Sequence, residues 1–307
     1  MRSGEYYSKG KLLLTGEYAV LYGAKALAVP LQFGQQMLVS EIKEQGIIMW
    51  ETFVQDKLWF SASFRREDMN ILNHSNERTA LIVRKLLKEG AGLNHDLSSG
   101  EKGCLVRNNI GFNMEWGLGS SSSLLSNLAA WLDIDLYTYY QRVFQGSGYD
   151  VFSARANTPI SYQLKAKKPE IIKTTLKTAI TNKLYFIYLG FKKDSQESVQ
   201  KFRAGIRPDP KIINEISALT DAMIDTSDAN DFFEMMRLHE ELLSGLLKQP
   251  KIKEERFADF KGEIKSLGAW GGDFIMAGTH ISANELKQYF LNHNLPVIFK
   301  WDEIVIK

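Results

Sequence analysis

Apolar and polar positions alternate in short runs through the first 60 residues. Four such runs are separated or interrupted by glycine, lysine or acidic residues: KLLLTGEYAVLYG, ALAVPLQFGQQMLVSEI, GIIMWETF and KLWFSASF. Successive side chains of a β-strand point to opposite faces, so runs of this kind with turn residues between them predict consecutive β-hairpins. We therefore expect strand-rich structure over residues 11–60.

The apolar spacing changes to that of a helix at residues 79–89, and the glycines Gly90 and Gly92 then mark a helix end. A β-like stretch, CLVRNNIGFNMEW, precedes two further predicted helices at 120–132 and 136–145. The second half predicts strands at 159–164 and 184–189, then helices in SQESVQKFR, KIINEISALTDAMI and ANDFFEMMRLHEELLSGLLK. Its end, DFIMAG, ELKQYFLNHN, LPVIFKW and DEIVIK, predicts strand, helix, strand and strand. The whole pattern indicates an α+β protein.

The chain shows no fixed-period repeat and no low-complexity linker. At 307 residues it exceeds the size of one small core, which favours two closely packed domains or one large two-lobed domain. The composition shifts at residues 164–183, where the lysine-rich stretch KAKKPEIIKTTLK predicts a surface connection. We accordingly place the domains at residues 1–165 and 166–307.

Composition and charge narrow the classes of function. Hydrophobic residues make up 44% and charged residues 24% of the chain, values typical of a soluble globular protein. The 38 basic and 36 acidic residues nearly balance and form no long basic block, so charge does not suggest nucleic-acid binding. The N-terminal apolar run covers only Leu12 to Leu14, and no segment approaches the roughly 20 apolar residues of a membrane span. A single cysteine, Cys104, excludes an intrachain disulfide and a cysteine-based zinc site, which fits a cytoplasmic protein.

The stretch GLGSSSS, residues 117–123, stands directly before a predicted helix. The N–H groups at a helix N-terminus favour an anion, and glycines let the backbone approach it without a Cβ in the way. This is the composition of a phosphate cradle. The alternative is a glycine turn after which Ser120 or Ser121 caps the helix. The stretch matches neither the Walker loop nor the dinucleotide G-x-G-x-x-G, since Ser122 occupies the place of the last glycine.

Two more small-residue segments follow, GSGYDVFSA at 146–154 and LGAWGGDFIMA at 267–277. Together with GLGSSSS and with KGKLLLTGEYAVLYGAKALAVPL at 9–31, they resemble the three signature regions of the GHMP kinases, and the order of the segments along the chain matches as well. That superfamily includes galactokinase, homoserine kinase, mevalonate kinase and phosphomevalonate kinase. GEYAVLYG, GSGYDV and GAWGGD look most like bacterial phosphomevalonate kinases, with mevalonate kinase second. The resemblance implies a strand-rich N-terminal half packed on a ferredoxin-like C-terminal half, with the active site in the cleft between them.

The resemblance also implies a site, with ATP and Mg²⁺ as cofactors. Lys11 falls on the lysine near the transferred phosphoryl group, and Asp150 on the acid that serves as base for the acceptor hydroxyl. Outside this context, the two residues would more simply form an ordinary ion pair. Ser121 falls on the serine that contacts magnesium. The residues implied in binding ATP phosphates are Gly117, Leu118, Gly119, Ser120, Ser121, Ser122 and Ser123, and those implied in binding substrate are Lys9, Glu17, Tyr18, Ser147, Gly148, Ser195, Gly271, Gly272 and Asp273.

Three positions depart from the family pattern. Lys9 replaces the usual proline, which adds a cation near the predicted site. No glutamate lies between Trp116 and Asp150, where the family has its second magnesium ligand; Asp133 or Asp135 could substitute, but both more simply form a turn between helices. Trp270 interrupts a run that is otherwise made of small residues.

Two weaker signals lie in the second half. FKKDSQESVQKF, residues 191–202, contains Lys192, Lys193 and Ser195 at a helix start, where phosphomevalonate kinases have a loop that faces the substrate phosphate; a capped surface helix is an equal alternative. His239 lies in an amphipathic helix and is expected to be packed or at the surface rather than catalytic.

These features predict ATP-dependent phosphorylation of a small isoprenoid precursor, phosphomevalonate first and mevalonate second. The expected partner is a small-molecule acid or phosphate-bearing substrate, with no nucleic acid and no membrane, and the protein is expected to be a monomer or a homodimer. The alternative is a catalytically silent protein of the same fold that binds a metabolite or a protein partner, since Trp270 and the missing glutamate depart from the family.

Overall fold

The structure is a computed structural model that describes residues 3–144, 146–191 and 195–306, without the side chains of residues 195, 196 and 201. Its strands are β1 (Gly4–Leu13), β2 (Ala26–Gln45), β3 (Ile47–Val54), β4 (Lys57–Arg65), β5 (Ile71–His74), β6 (Lys102–Ile110), β7 (Ile160–Lys165), β8 (Lys168–Lys173), β9 (Leu184–Tyr188), β10 (Glu263–Leu267), β11 (Phe274–Gly278) and β12 (Ile298–Lys300).

Both halves of the chain contain runs of consecutive strands and runs of consecutive helices, which confirms the predicted α+β class. They are α1 (Glu77–Ala91), α2 (Asp96–Ser99), α3 (Ser120–Trp131), α4 (Leu136–Val143), α5 (Tyr149–Arg155), α6 (Thr178–Thr181), α7 (Ser195–Gly205), α8 (Pro210–Asp225), α9 (Ala229–Leu247), α10 (Ile252–Arg256), α11 (Ala283–Asn292) and α12 (Trp301–Ile304). Two 3-10 helices cover Ala19–Tyr22 and Met114–Trp116. None of the described helices is both long enough and apolar enough to cross a bilayer.

The chain divides into two compact units that are interleaved in sequence. The first consists of Met1–Gly10, Phe33–Met114 and Leu118–Arg155, and the second of Lys11–Gln32, Glu115–Gly117 and Ala156–Lys307. A single boundary after residue 165 does not reproduce this division, because β1 and β2 each pass from one unit into the other.

In the first unit, β5, β4, β3, β6 and the C-terminal part of β2 lie side by side in one sheet. β3 and β6 run parallel, and the other neighbours are antiparallel. Alternate strand residues such as Trp50, Phe60 and Phe64 are buried with apolar residues of α1, α3 and α4. Because burial of apolar surface is the main favourable contribution to folding, this core fixes the position of α3 against the sheet.

In the second unit, β10, β11, β9 and β12 form an antiparallel sheet in that order. Helices α7 to α10 connect β9 to β10, and α11 connects β11 to β12, which is the order of the split βαβ unit of ferredoxin-like folds. The predicted ferredoxin-like C-terminal half is confirmed. The N-terminal end of β2 pairs with β7, and β7 pairs with β8, in the same unit.

Three local predictions are wrong in whole or in part. The segment TGEYAVLYG is a turn and a 3-10 helix rather than a strand, because Gly16 and Gly23 have φ of 81° and 88°, values that interrupt a strand. The stretch KAKKPEIIK lies at the surface, as predicted, but it forms the turn and the second strand of the β7–β8 hairpin rather than only a connection. DEIVIK contributes to α12 rather than to a strand, and Val305 makes an isolated bridge with Leu31.

Candidate active site

The residues before α3 form a glycine turn that leads directly into the helix. Gly117 and Gly119 have φ of 65° and 93°, in the left-handed region that glycine enters without steric cost. Gly119 is the N-cap residue of α3, so the N-cap position carries no side chain. The hydroxyl of Ser122 donates to the carbonyl oxygen of Gly119 at 2.9 Å rather than accepting from an N–H group. The alternative in which a serine is the N-cap residue is therefore wrong.

The four serines of this segment differ in burial, and Ser120 is partly buried. Ser122 and Ser123 are buried, and the Ser123 hydroxyl donates to Gln35 Oε1 at 2.9 Å. One turn later, Asn127 Nδ2 donates to the backbone oxygen of Gln35 at 2.9 Å, so both contacts anchor α3 to β2. Ser121 is exposed. Within the predicted cradle, the later serines are thus packing residues, whereas Ser121 presents its hydroxyl at the surface of the first turn.

Asp150 lies in the first turn of α5, after a turn in which Gly148 has φ of 88°. Ser147 in this turn is buried, and Asp150 is partly buried. The predicted catalytic acid therefore lies at the start of a helix, directly after a glycine turn.

In the second unit, three predicted site residues lie together. Lys11 Nζ donates to the backbone oxygen of Gly117 at 3.5 Å. A Cβ on Gly117 would lie 2.4 Å from Asp273 Oδ2, so the Asp273 carboxylate closely covers this glycine. Such a close approach is open only to glycine. The segments at 9–31 and 267–277 thus meet at Gly117, the first residue of GLGSSSS.

Glu17 and Tyr18, predicted to bind substrate, lie in the turn after β1. The Glu17 carboxylate is buried and accepts a hydrogen bond from Lys265 Nζ, and burial raises the pKa of Glu17. The Tyr18 hydroxyl accepts from the backbone N–H of Trp270 at 3.0 Å, and its ring centroid lies 5.1 Å from that of Phe202. Both side chains therefore act inside the second unit: Glu17 in an ion pair and Tyr18 in contacts with the third glycine-rich turn.

The third glycine-rich turn is anchored by Trp270. Its side chain is buried with Phe202 and Leu243, and its Nε1 donates to the backbone oxygen of Pro250 at 3.2 Å. Gly271 then takes φ of 69°, and the Gly272 N–H donates to Ala269 O at 3.0 Å. The departure at Trp270 thus provides a packing anchor for the turn, while both glycines contribute backbone only.

Sequence reasoning missed a buried polar cluster beneath these turns, formed by Glu17, His239, Glu240, Lys265 and Ser266. All five are at most 3% exposed. His239 is buried, which is one of the two environments expected for it, the other being the surface. The sequence feature that could have revealed the cluster is Lys265, a lysine inside the strand EIKSL, which is buried along most of its length.

The remaining predicted residues lie in different parts of the structure or outside its described residues. Lys9 belongs to the first unit and is partly buried, and this burial lowers the pKa of its ammonium group. Asp135 caps α4 by accepting from the Thr138 N–H at 2.8 Å, and Asp133 has φ of 51°, as expected for a turn between helices. The side chain of Ser195 lies outside the described residues, as do Lys192 and Lys193.

A metal site is not preformed by acidic clustering. Among the described residues, no group of three or more His, Cys, Asp or Glu side chains is placed to hold a metal ion. The Ser121 hydroxyl at the start of α3 suits a hard cation such as Mg²⁺ as one oxygen ligand, and Mg²⁺ usually takes most of its other ligands from water and phosphate.

The sequence matches neither a protein-family model nor a curated protein. Its fold, in contrast, is similar to solved structures over nearly the whole chain. Methanococcus jannaschii mevalonate kinase is 18% identical, with 100% of this chain and 99% of that chain covered and a TM-score of 0.68. Streptococcus pneumoniae phosphomevalonate kinase, in complex with phosphomevalonate and AMPPNP, is 15% identical, with 97% and 99% covered and a TM-score of 0.71.

Lactococcus lactis galactokinase, complexed with galactose, is 14% identical, with 98% of this chain and 93% of that chain covered and a TM-score of 0.68. These three kinases belong to one superfamily. Because each comparison covers nearly all of both chains, little of either fold is unmatched. The α+β elements, the ferredoxin-like second unit and the glycine turn before α3 together show that this chain has the fold of the GHMP kinases.

Proposed function

We propose that the protein is an ATP-dependent kinase that phosphorylates a small isoprenoid precursor, with phosphomevalonate as the first choice and mevalonate as the second. The observation that carries the proposal is the start of α3, where the N-cap position is Gly119 and Ser121 is exposed. The N–H groups of this first turn and the helix dipole suit the phosphates of a nucleotide. The Ser121 hydroxyl would be a ligand of the accompanying Mg²⁺.

The chemistry requires a cation and an acid. The acceptor hydroxyl oxygen attacks the γ-phosphorus, the bond from this phosphorus to its bridging oxygen breaks, and ADP leaves. Lys11 would neutralise charge on the transferred phosphoryl group, and its ammonium group already lies beside Gly117 of the glycine turn. Asp150 would orient the acceptor hydroxyl and take up its proton.

Phosphomevalonate is preferred over mevalonate because of the cations near the predicted site. Lys9 is a cation where the family has proline, and we assign it as a candidate donor to the phosphate of the acceptor. Lys192, Lys193 and Ser195 are further candidate donors from the sequence. The phosphomevalonate complex of the Streptococcus pneumoniae enzyme, which has a similar fold, supports this choice of acceptor.

The experiment is a substrate panel on the purified protein. ADP release is measured with ATP, Mg²⁺ and each acceptor in turn, including mevalonate, phosphomevalonate and galactose, with an acceptor-free control. Release that depends on phosphomevalonate is the expected result. Thermal stabilisation by ligand without turnover would instead support a catalytically silent binding protein, the alternative suggested by the missing glutamate between Trp116 and Asp150.

A further inference from the structure

Helix α9 carries two adjacent buried polar residues, and each one accepts a hydrogen bond from the backbone of a different segment. His239 Nε2 accepts from the Gly16 N–H at 2.9 Å. Glu240 Oε1 accepts from the Ser266 N–H at 3.0 Å. Both side chains are at most 1% exposed. Two residues of one rigid helix therefore hold two chain segments that are 250 residues apart.

Both segments lead into predicted substrate-binding residues. Gly16 immediately precedes Glu17 and Tyr18, and Ser266 stands near the end of β10, before the glycine-rich turn that ends at Asp273. The segments are also joined to each other. Lys265 Nζ donates to the Glu17 carboxylate and to the Ser266 backbone oxygen, the latter at 2.9 Å, and the Tyr18 hydroxyl accepts from the Trp270 N–H.

The protonation state of His239 follows from the geometry. Because Nε2 accepts a hydrogen bond, the imidazole is neutral and its proton is on Nδ1. Burial, with the charge of Lys265 as a second cause, holds the pKa of His239 well below its ordinary value. A neutral ring is thus the state in which it can accept from Gly16.

A buried polar cluster of this size costs stability compared with an apolar core of the same volume. Four of its atoms lack a hydrogen-bond partner among the described residues: Glu17 Oε2, His239 Nδ1, Glu240 Oε2 and Ser266 Oγ. Buried polar atoms in such a group are usually satisfied by internal water. The two hydrogen bonds from these segments to α9 nevertheless impose specific positions on both of them.

We propose that His239 and Glu240 are positioning residues, which together form a clamp that holds residues 15–18 in register with the turn at 268–273. This inference rests on the proposed function, since these two segments carry the residues assigned to the acceptor. The clamp touches neither ATP nor acceptor. It fixes the backbone from which Tyr18 and Asp273 project, and small displacements of such groups lower catalytic efficiency strongly.

The test compares two neutral amides at one position. In His239→Gln the side-chain oxygen reaches the place of Nε2 and still accepts from Gly16, whereas in His239→Asn the shorter side chain does not. We expect His239→Asn to raise the acceptor KM about tenfold, equivalent to about 1.4 kcal/mol, with unchanged nucleotide affinity, and His239→Gln to restore most of the loss. Equal acceptor KM values for wild type and both folded variants would overturn the clamp.

A second measurement does not depend on turnover. Amide hydrogen exchange of residues 14–18 and 266–273 is expected to be faster in His239→Asn than in His239→Gln, with β3 in the first unit as the unaffected reference. The same comparison between Glu240→Gln, which retains a hydrogen-bond acceptor, and Glu240→Leu, which does not, tests the contact between Glu240 and the Ser266 N–H. Unchanged exchange in the Asn and Leu variants refutes the clamp, while a wild-type protein that releases no ADP refutes the proposed function alone.

Discussion

Asp150 occupies the first turn of α5, directly after the turn at Gly148. We predict that Asp150→Asn lowers kcat by about 10²-fold or more, because asparagine keeps the shape but accepts no proton, with little change in nucleotide affinity. The measurement is kcat and Tm on the same preparation.

Asp135→Asn is the matched control, since Asp135 caps α4 and asparagine is an equally good N-cap residue. This variant should keep both activity and Tm. If Asp150 were a structural partner of Lys11 instead, its Asn variant would lose thermal stability and keep the activity of the folded fraction. A folded, fully active Asp150→Asn protein removes this residue from the mechanism.

Glu240 gives a prediction about pH. Burial raises its pKa to about 7, the neighbouring Glu17 charge acts in the same direction, and Lys265 with the Ser266 N–H opposes them. The folded state then binds a proton that the unfolded chain has released between the ordinary pKa of a glutamate, about 4.3, and pH 7. Stability linked to Glu240 therefore falls as the pH rises through this window.

Glu240→Gln removes this titration and keeps an acceptor for Ser266. We predict that the variant gains free energy of unfolding relative to wild type between about pH 5 and pH 7. Denaturant unfolding of both proteins across this range measures the difference. His239 acts in the opposite direction, because its lowered pKa costs stability at acidic pH, but it is present in both proteins and cancels. A pH-independent difference would contradict the assignment of the raised pKa to Glu240.

At the scale of elements, the start of α3 is the feature that most directly predicts nucleotide binding. Gly119 has φ of 93° at the N-cap position, and the N–H groups that follow it are the proposed phosphate donors. We predict that Gly119→Val weakens ATP binding at least tenfold, because a branched Cβ strains the left-handed turn and crowds the anion. Isothermal titration or a filter-binding assay on the folded variant measures this affinity.

Gly46→Val is the control for backbone strain. Gly46 also has positive φ, at 65°, and a Cβ there meets no atom within 4 Å, so its variant carries strain without any steric contact near the site. Both variants should lose stability through the strain of an L side chain at positive φ. Loss of ATP affinity in Gly119→Val alone supports the cradle, and equal affinities in both variants exclude it.

At the scale of the whole molecule, the net charge is only +2, so salt is expected to act on acceptor binding through individual cations rather than through the overall charge. Phosphomevalonate carries a phosphate that mevalonate lacks, so its binding depends more on Lys9 and the other proposed donors. We predict that raising the salt concentration from about 0.05 M to about 0.5 M increases the KM for phosphomevalonate several-fold more than the KM for mevalonate, because exposed charges are screened. Steady-state kinetics with both acceptors measures this, and turnover of mevalonate alone would reverse their ranking.

The sequence by itself determined the elements with clear periodicity. The alternation of β3 and β4 and the helical spacing of α1 and α9 identify their type, because half-buried strands and helices need apolar residues at intervals of two and of three to four. The order of the three glycine-rich segments likewise indicated the fold, since small residues at fixed places reflect local backbone geometry. These are properties of short stretches of chain.

Only the tertiary structure decided how distant segments meet. The sequence predicts residues 15–18 as part of a strand-rich region and His239 as a packed or surface residue of a helix. A local sequence pattern carries no information about a partner more than 200 residues away. Lys265, inside a strand that is buried along most of its length, needs Glu17 to be buried at all, since an unpaired buried charge costs too much free energy. The close approach of Asp273 to Gly117 arises in the same way, because such contacts depend on the packing of whole elements rather than on local propensity.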